Sequence, residues 1–395
     1  MLFKTKVSSS LAAALMLAGS SIPAHAMTAA ADSARQDFSR FKQVHAATHN
    51  SESVLSAEQP TTRDRLRMQL VRGVMAAHGT AMQTASLYSA VPASVISTSE
   101  TLMETAMGPG LRLGEPEGKA LWFRLSGTDM RYDSRATMRS RAGQLSDSAR
   151  LDQKLATAVI GGTLYANHST RLDATFGMSV NDGRVQGNGP DPKLTSYSGS
   201  VGLILEHRTP IGLDLRLGTH VLAGVNELKE PCQDRNHCGL KEKFMHKAMG
   251  IRAEAAWGLP VGNSFMVTPR LGVSTNMARI RQNDIKNENH HNTAVSAATR
   301  LAYMHQMKNG RAASFWAEPA YVAQFKRTTH INSTFAGLNF KVSNRLPGDS
   351  AGVRFGSELP VGRNGSVSVN VSRFWGLNSN RQSENSANFS YAHRF

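Results

Sequence analysis

Past residue 26 the 395-residue sequence has no stretch of 18 or more uninterrupted apolar residues. A bundle of membrane-spanning helices is therefore excluded. Two routes remain, a water-soluble chain or a closed β-barrel, because only helices and barrels satisfy every backbone polar group in lipid. Cysteine is nearly absent: Cys232 and Cys238 are the only two, in the run CQDRNHC. Acid is scarce relative to base, with 45 Lys and Arg against 29 Asp and Glu and a formal net charge of +16. Residues 27–110 are balanced, seven bases to seven acids, so the excess lies further on.

The first residues carry an export signal pattern. Lys4 and Lys6 precede an apolar run from Leu11 to Ile22, and Ala24-His25-Ala26 supplies the small residues a signal peptidase reads. Residues 1–26 are expected to be a signal peptide, with the mature chain starting at Met27. In an exported chain Cys232 and Cys238 are expected to close a small disulfide loop. Export also redirects the basic charge away from nucleic acid, toward the phosphates of lipopolysaccharide.

The dominant pattern is a period of two. In 211–225, Leu213, Leu215, Leu217, Val221, Ala223 and Val225 share one face, while Asp214, Arg216, Gly218 and His220 share the other. That is the alternation of a strand with lipid on one side and water on the other. Twelve such segments occur, near 119–128, 153–166, 171–181, 195–207, 212–226, 245–259, 265–278, 293–307, 313–326, 350–360, 365–376 and 387–395. Short turns at 167–170, 208–211, 260–264, 308–312 and 361–364 carry Thr209-Pro210, Gly262-Asn263, Asn309-Gly310 and Asn364-Gly365. Polar loops at 129–152, 182–194, 227–244, 279–292, 327–349 and 377–386 alternate with them. The fold class is all-β: a 12-stranded antiparallel transmembrane barrel, with tight turns at one end and long loops at the other. A soluble sandwich is disfavoured because its strands average about five or six residues and its core would bury too many charges.

The face opposite the lipid carries Arg124, Arg216, Arg252, Arg270, Arg300, Arg354 and Arg394 together with Asp173, Glu206, Asp214, Glu254, Glu318 and Glu358. Near-equal numbers of bases and acids predict a mutually paired, solvated lumen. No catalytic residues and no cofactor are expected. Gly348-Asp349-Ser350 has no helix or placed histidine near it, so it makes a poor nucleophile motif. His290-His291 lacks a third metal ligand.

The chain ends on Phe389, Tyr391 and Phe395 in alternation, with His393 between. This ending resembles the signal read by the outer-membrane barrel-assembly machinery, although His393 stands where an apolar residue is usual. Residues 119–395, about 70% of the chain, resemble the translocator barrel of autotransporters (type V secretion). The resemblance rests on Leu121-Trp122-Phe123-Arg124-Leu125-Ser126-Gly127, Thr268-Pro269-Arg270-Leu271-Gly272-Val273, Ala317-Glu318-Pro319-Ala320-Tyr321-Val322 and the terminal Phe395. It implies outer-membrane placement, a pore-lying helix before the first strand and a surface-exposed N-terminal product. Ser97-Thr98-Ser99-Glu100 reads as a capping box, Leu102, Met103, Ala106 and Met107 as its helix, and Gly108-Pro109 as the stop. Residues 97–118 are thus the expected linker helix and pore segment.

Some autotransporters cut themselves in the pore with an asparagine. Here no asparagine lies between Asn50 and Asn167, so the chain is expected to stay whole. Residues 27–96 form an unusually short passenger, polar at first. From Thr61 an apolar stripe follows, with Leu66, Leu70, Val74, Ala77, Ala81, Ala85 and Tyr88 at helical spacing, ending before Pro92. The expected function is export of this segment to the cell surface for adhesion or host interaction, as in virulence, with a host surface ligand as partner. The alternative is a small channel or porin-like barrel plugged by its N-terminal helix.

Overall fold

Alternating lipid-facing and inward side chains become a single antiparallel wall in the computed structural model. It describes residues 90–108 and 119–395, except 141–142, 187–191, 230–240, 282–288, 308–309, 326–327, 336–337, 346–347 and 378–381. Residues 1–89 lie outside this set. So do Cys232 and Cys238, hence also the expected signal peptide, the stripe from Thr61 to Tyr88 and the disulfide.

The helix α1 covers residues 90–107. The strands are β1 (Ala120–Ser140), β2 (Gly143–Ala166), β3 (Thr170–Gln186), β4 (Lys193–Arg208), β5 (Leu213–Lys229), β6 (Lys241–Trp257), β7 (Leu259–Val261), β8 (Phe265–Arg281), β9 (Asn289–Gln306), β10 (Ala312–Gln324), β11 (Thr328–Phe335), β12 (Leu338–Arg345), β13 (Ser350–Val361), β14 (Gly365–Gly376) and β15 (Gln382–Arg394). Twelve of them make the wall. The short β7 pairs only with β8, and β12 pairs with the outer end of β1 at Ala136–Arg139. Each wall strand pairs antiparallel with its neighbours, and β15 returns to β1 from Ala120↔Arg394 to Tyr132↔Gln382. Thirteen register pairs there close the barrel, so no edge is left open to lipid.

Five tight connections sit at the end where β1 begins. In four of them a glycine takes a left-handed backbone, at Gly212, Gly262, Gly310 and Gly362, with φ from 59° to 79°. Only glycine holds such angles without Cβ strain. The last of these differs from the expected Asn364-Gly365 turn: Gly362 carries the left-handed residue, and Gly365 already begins β14. In the fifth, Asn167 Oδ1 accepts from the Ser169 and Thr170 N–H groups at 3.0 and 2.6 Å and shapes the turn in place of glycine.

The outward face through the lipid is apolar. On β5 it carries Leu215, Leu217, Val221 and Val225, and on β6 Met249, Ile251 and Trp257. Aromatic residues mark its two margins. Tyr165, Trp257, Phe265, Tyr303 and Phe395 lie toward the tight turns, and Tyr197, Phe325 and Trp375 toward the other end. Two such girdles are the interfacial signature of a membrane barrel.

The wall reaches further than the alternation indicates. Much of what reads as polar loop at 129–152, 182–194, 227–244 and 279–292 continues as strand. The physical reason is an inversion of the pattern. Above the lipid band, Val185, Leu194, Leu228, Phe244 and Ile280 point inward and are buried, while Arg184, Lys193, Lys229, Lys243 and Arg281 point outward. Water now lies outside and an apolar cluster inside, as in a soluble β-sheet, so the lipid-facing signature vanishes although the strands do not.

Candidate functional site

The lumen is filled by α1. Its 18 residues span about 27 Å at 1.5 Å per residue, close to the roughly 30 Å thickness of a hydrocarbon core. The residue types are poor helix formers: Ser94, Val95, Ile96, Ser97, Thr98, Ser99, Thr101 and Thr105 crowd the segment. Enclosure decides the conformation. Thr98 and Thr105 return their hydroxyls to the carbonyls of Ser94 and Thr101, at 2.9 and 2.7 Å. Such i−4 bonds satisfy a hydroxyl without an outside partner. Ser97-Thr98-Ser99-Glu100 is therefore no cap. It lies mid-helix, and the described helix is already formed at 90, with Pro92 in its first described turn. The stop is where the sequence puts it: Gly108 has φ 67° and its N–H donates to the Glu104 carbonyl at 2.8 Å.

The wall grips the helix from many sides. Ser94 Oγ accepts from Asn181 of β3 at 2.7 Å, and Thr105 Oγ1 lies 2.9 Å from Thr157 Oγ1 of β2. Ser99 Oγ donates to Asn276 Oδ1 of β8 and sits 2.8 Å from His220 Nε2 of β5. Glu100 accepts from Asn276 and Asn292. Glu104 accepts from Arg354 of β13. At the helix C-terminus Arg124 donates to the Ala106 carbonyl and Arg216 to the Met107 carbonyl. These carbonyls have no partner within the helix, and cations there complement its dipole. Gly218 and Gly177 open the wall for the helix: a Cβ at Gly218 would lie 2.8 Å from the sulfurs of Met103 and Met107, and one at Gly177 3.1 Å from Leu102.

Below the helix's upper half the predicted charges form a connected lattice. Glu318, with no side-chain exposure, receives Arg270 at 2.7 Å, Arg300 at 2.8 Å and Arg354 at 3.2 Å. Glu254 receives Arg252 at 2.7 Å, Arg270 at 3.0 Å and Arg216 at 3.6 Å, and Arg216 reaches on to Glu206 at 2.8 Å. Asp173 accepts from Arg171, Trp122 and Thr163, all within 2.8 Å. Asp214 pairs with Arg208 at 2.6 Å near the tight-turn rim. Glu358 and Arg394 share the inward face, half-buried. Arg171, Trp122 and Trp316 were not among the lumen residues expected from sequence. For the two tryptophans the signal was the glycine opposite: Gly161 and Gly356 leave room for the indoles, where a Cβ would stand 2.1 and 2.2 Å from the ring. Arg124 and Arg300 stack on these two indoles at 4.1 and 4.0 Å.

The lumen is thus not the uniformly solvated interior expected from its charges. Its upper part is apolar, with Tyr132, Leu151, Leu194, Leu228 and Phe244 against Val91 and Val95. A cavity of about 110 Å³ remains beside α1, between Glu100 and Glu104 on one side and Arg252, Arg354, Phe374 and Glu384 on the other. It has room for a few waters at about 30 Å³ each and is too narrow for a second chain.

The remaining candidates are dispersed. His290 is buried and faces inward while His291 faces the other side of β9, so the pair cannot chelate one ion. Asp349 Oδ1 accepts from the Gln324 N–H at 3.0 Å, and its carbonyl accepts from Leu377, which makes it a strand-end clamp. Phe389, Tyr391 and Phe395 are brought together by the seam. Phe123 of β1 lies 5.7 Å from Phe389 and 6.0 Å from Tyr391, and His393 meets Phe395 edge-on at 5.1 Å. The Phe395 N–H donates to the Lys119 carbonyl at 3.0 Å.

Comparison with known proteins identifies this architecture. The transport unit of the autotransporter AIDA-I from Escherichia coli superposes with a TM-score of 0.55 at 13% identity, over 77% of this chain and 99% of that one. The translocator domain of the autotransporter NalP from Neisseria meningitidis does so at 0.54 and 11%, over 79% and 99%. The beta domain of the Bordetella autotransporter Brka gives 0.51 and 12%, over 71% and 100%. No curated protein matches the sequence. The autotransporter beta-domain family matches residues 136–372, more than half of the chain, and this protein belongs to that family.

Proposed function

We propose that this autotransporter barrel carries the segment 27–89 to the cell surface and keeps α1 in its pore as the trailing part of the exported chain. The observation that carries this is the direction of α1. Met107 and Gly108 lie beside Arg216 and Arg124 near the tight turns, while Ser94 lies beside Asn181, toward the end with longer connections. A chain running this way leaves the pore with residue 90 at the outer end, so residues before it emerge outside. The surface product acts in adhesion or host interaction, a role that rests on the family resemblance.

Antibody labelling of residues 27–89 on intact cells tests the reading. Labelling without permeabilisation is expected. Labelling only after permeabilisation, together with a conductance rise on deleting 27–110, would favour the plugged channel instead.

A further inference from the structure

The outward face of β6 and β8 changes character along its length. From the girdle residue Trp257, β6 presents Ala255, Ala253, Ile251 and Met249, then Lys247, Met245, Lys243 and Lys241. From Phe265, β8 presents Val267, Pro269, Leu271, Val273, Thr275 and Met277, then Arg279 and Arg281. A membrane strand needs about 9–11 residues. Lys247, ten residues from Trp257, and Arg279, fourteen from Phe265, therefore stand at and just beyond the far margin of the apolar band.

Register makes this arrangement costly by itself. Lys247 and Arg279 are direct cross-strand partners, and Met245 is the partner of Arg281. Facing residues on adjacent strands hold their Cβ atoms about 4.5–5.5 Å apart, so like charges directly opposite destabilise the sheet. Among the described residues, their other direct cross-strand partners are not acids: Ala223 faces Lys247 from β5, and Asn289 faces Arg279 from β9. Glu227, the nearest outward carboxylate among the described residues, is the direct cross-strand partner of Lys243 and is shared with Lys229 at 3.3 Å and Lys241 at 3.6 Å, one acid among three lysines. Several other outward cations on the wall are matched. Arg131 lies near Asp129 and Asp152, Lys193 pairs with Asp182, and Arg373 lies on the Trp375 ring.

We propose that Lys243, Lys247, Arg279 and Arg281 form a docking surface for the phosphate groups of an outer-leaflet glycolipid. The occupant follows from position and charge. The cluster is continuous with the lipid-facing surface through Met245, Met249 and Met277, all exposed, so acyl chains can lie below it while phosphates sit among the cations. An anion bridging Lys247 and Arg279 removes their repulsion, and charge-assisted bonds to phosphate are among the stronger hydrogen bonds.

The full-length chain, folded in detergent, tests this. The probes are diphosphoryl lipid A, the same lipid with its phosphates removed, and inorganic phosphate, each at equal concentration. Binding is read as the shift in the temperature at which the barrel loses its compact gel mobility and as adducts in native mass spectrometry. The phosphorylated lipid is expected to raise that temperature and give adducts. Lys247→Gln with Arg279→Gln should weaken binding at least tenfold, whereas Lys193→Gln, as a control, should not. The proposal is overturned if the phosphorylated lipid produces no shift, if its dephosphorylated form or inorganic phosphate produces the same shift, or if the double variant binds as the parent does. Neither substitution touches the pore, so these outcomes are independent of whether residues 27–89 reach the surface.

Discussion

Arg354 holds two carboxylates at once: its Nη1 reaches Glu318 Oε1 of β10 at 3.2 Å, and its Nη2 reaches Glu104 of the pore helix. One guanidinium thereby ties the occupant of the pore to the charge lattice of the wall. Glu104→Gln should loosen the helix without unfolding the barrel. The Glu104 side chain is 42% exposed, so solvent screens the pair and the loss is about 1 kcal/mol or less. Planar-bilayer recordings should show more frequent openings than the parent; an unchanged trace would mean that the hydroxyl and amide contacts alone hold the helix.

Glu318 answers differently. It is the carboxylate shared by Arg270, Arg300 and Arg354 and is wholly buried. Removing its charge leaves guanidiniums crowded without compensation, a loss on the order of 3–5 kcal/mol. Urea unfolding of Glu318→Gln in detergent should show a clearly lower midpoint. Asp182→Asn, which breaks an exposed pair with Lys193, should stay within about 1 kcal/mol.

Gly218 tests the fit of the helix. A valine there would drive its Cβ into Met103 and Met107. Because the obstruction is the flexible end of two methionines, Met103→Ala with Met107→Ala should restore what Gly218→Val disturbs. Conductance of the single variant should rise and that of the triple variant return toward the parent. Failure of the rescue would place the defect in the wall itself.

The seam gives a further prediction. Deleting Phe395 removes an exposed girdle residue and the bond from its N–H to Lys119. The amount of heat-modifiable barrel in the outer-membrane fraction should fall severalfold. An undiminished amount would show that Phe389 and Tyr391 suffice for assembly.

The chain is expected to remain uncut. Between Asn50 and Asn167 there is no asparagine to attack its own backbone. A denaturing gel of the mature protein should show one band, and a second fragment mapping near 97–118 would contradict this.

The transmembrane wall was legible because lipid imposes one rule on every strand. Leu215, Leu217 and Val221 outward with Arg216 and His220 inward can be read directly from 211–225. The strand extensions were not, since Leu228 inward with Lys229 outward obeys the opposite rule, and the two rules cancel across the boundary. The helix stop at Gly108 was legible because it is local. Its true extent was not, because Ser97 and Ser99 imitate a cap until the partners His220 and Asn276, more than a hundred residues away, are seen. Pairing of the lumen charges was foreseeable as a balance of signs; that Glu318 would gather three arginines was not, since it depends on registers across β8, β9, β10 and β13.

One pairing bears on the fate of the chain outside its membrane. β1 is covered by β15 only as far as Tyr132, yet runs on to Ser140. Along Ala136–Arg139 the vacant side of that projecting ribbon is taken by β12, through Lys341–Asn344. A bare β-edge in water is a template for adding another molecule's strand. By folding part of its own β10–β13 connection onto this edge, the protein moves the strand border away from β1 to β11, a strand of eight residues, and so shortens the template that a neighbouring barrel could extend.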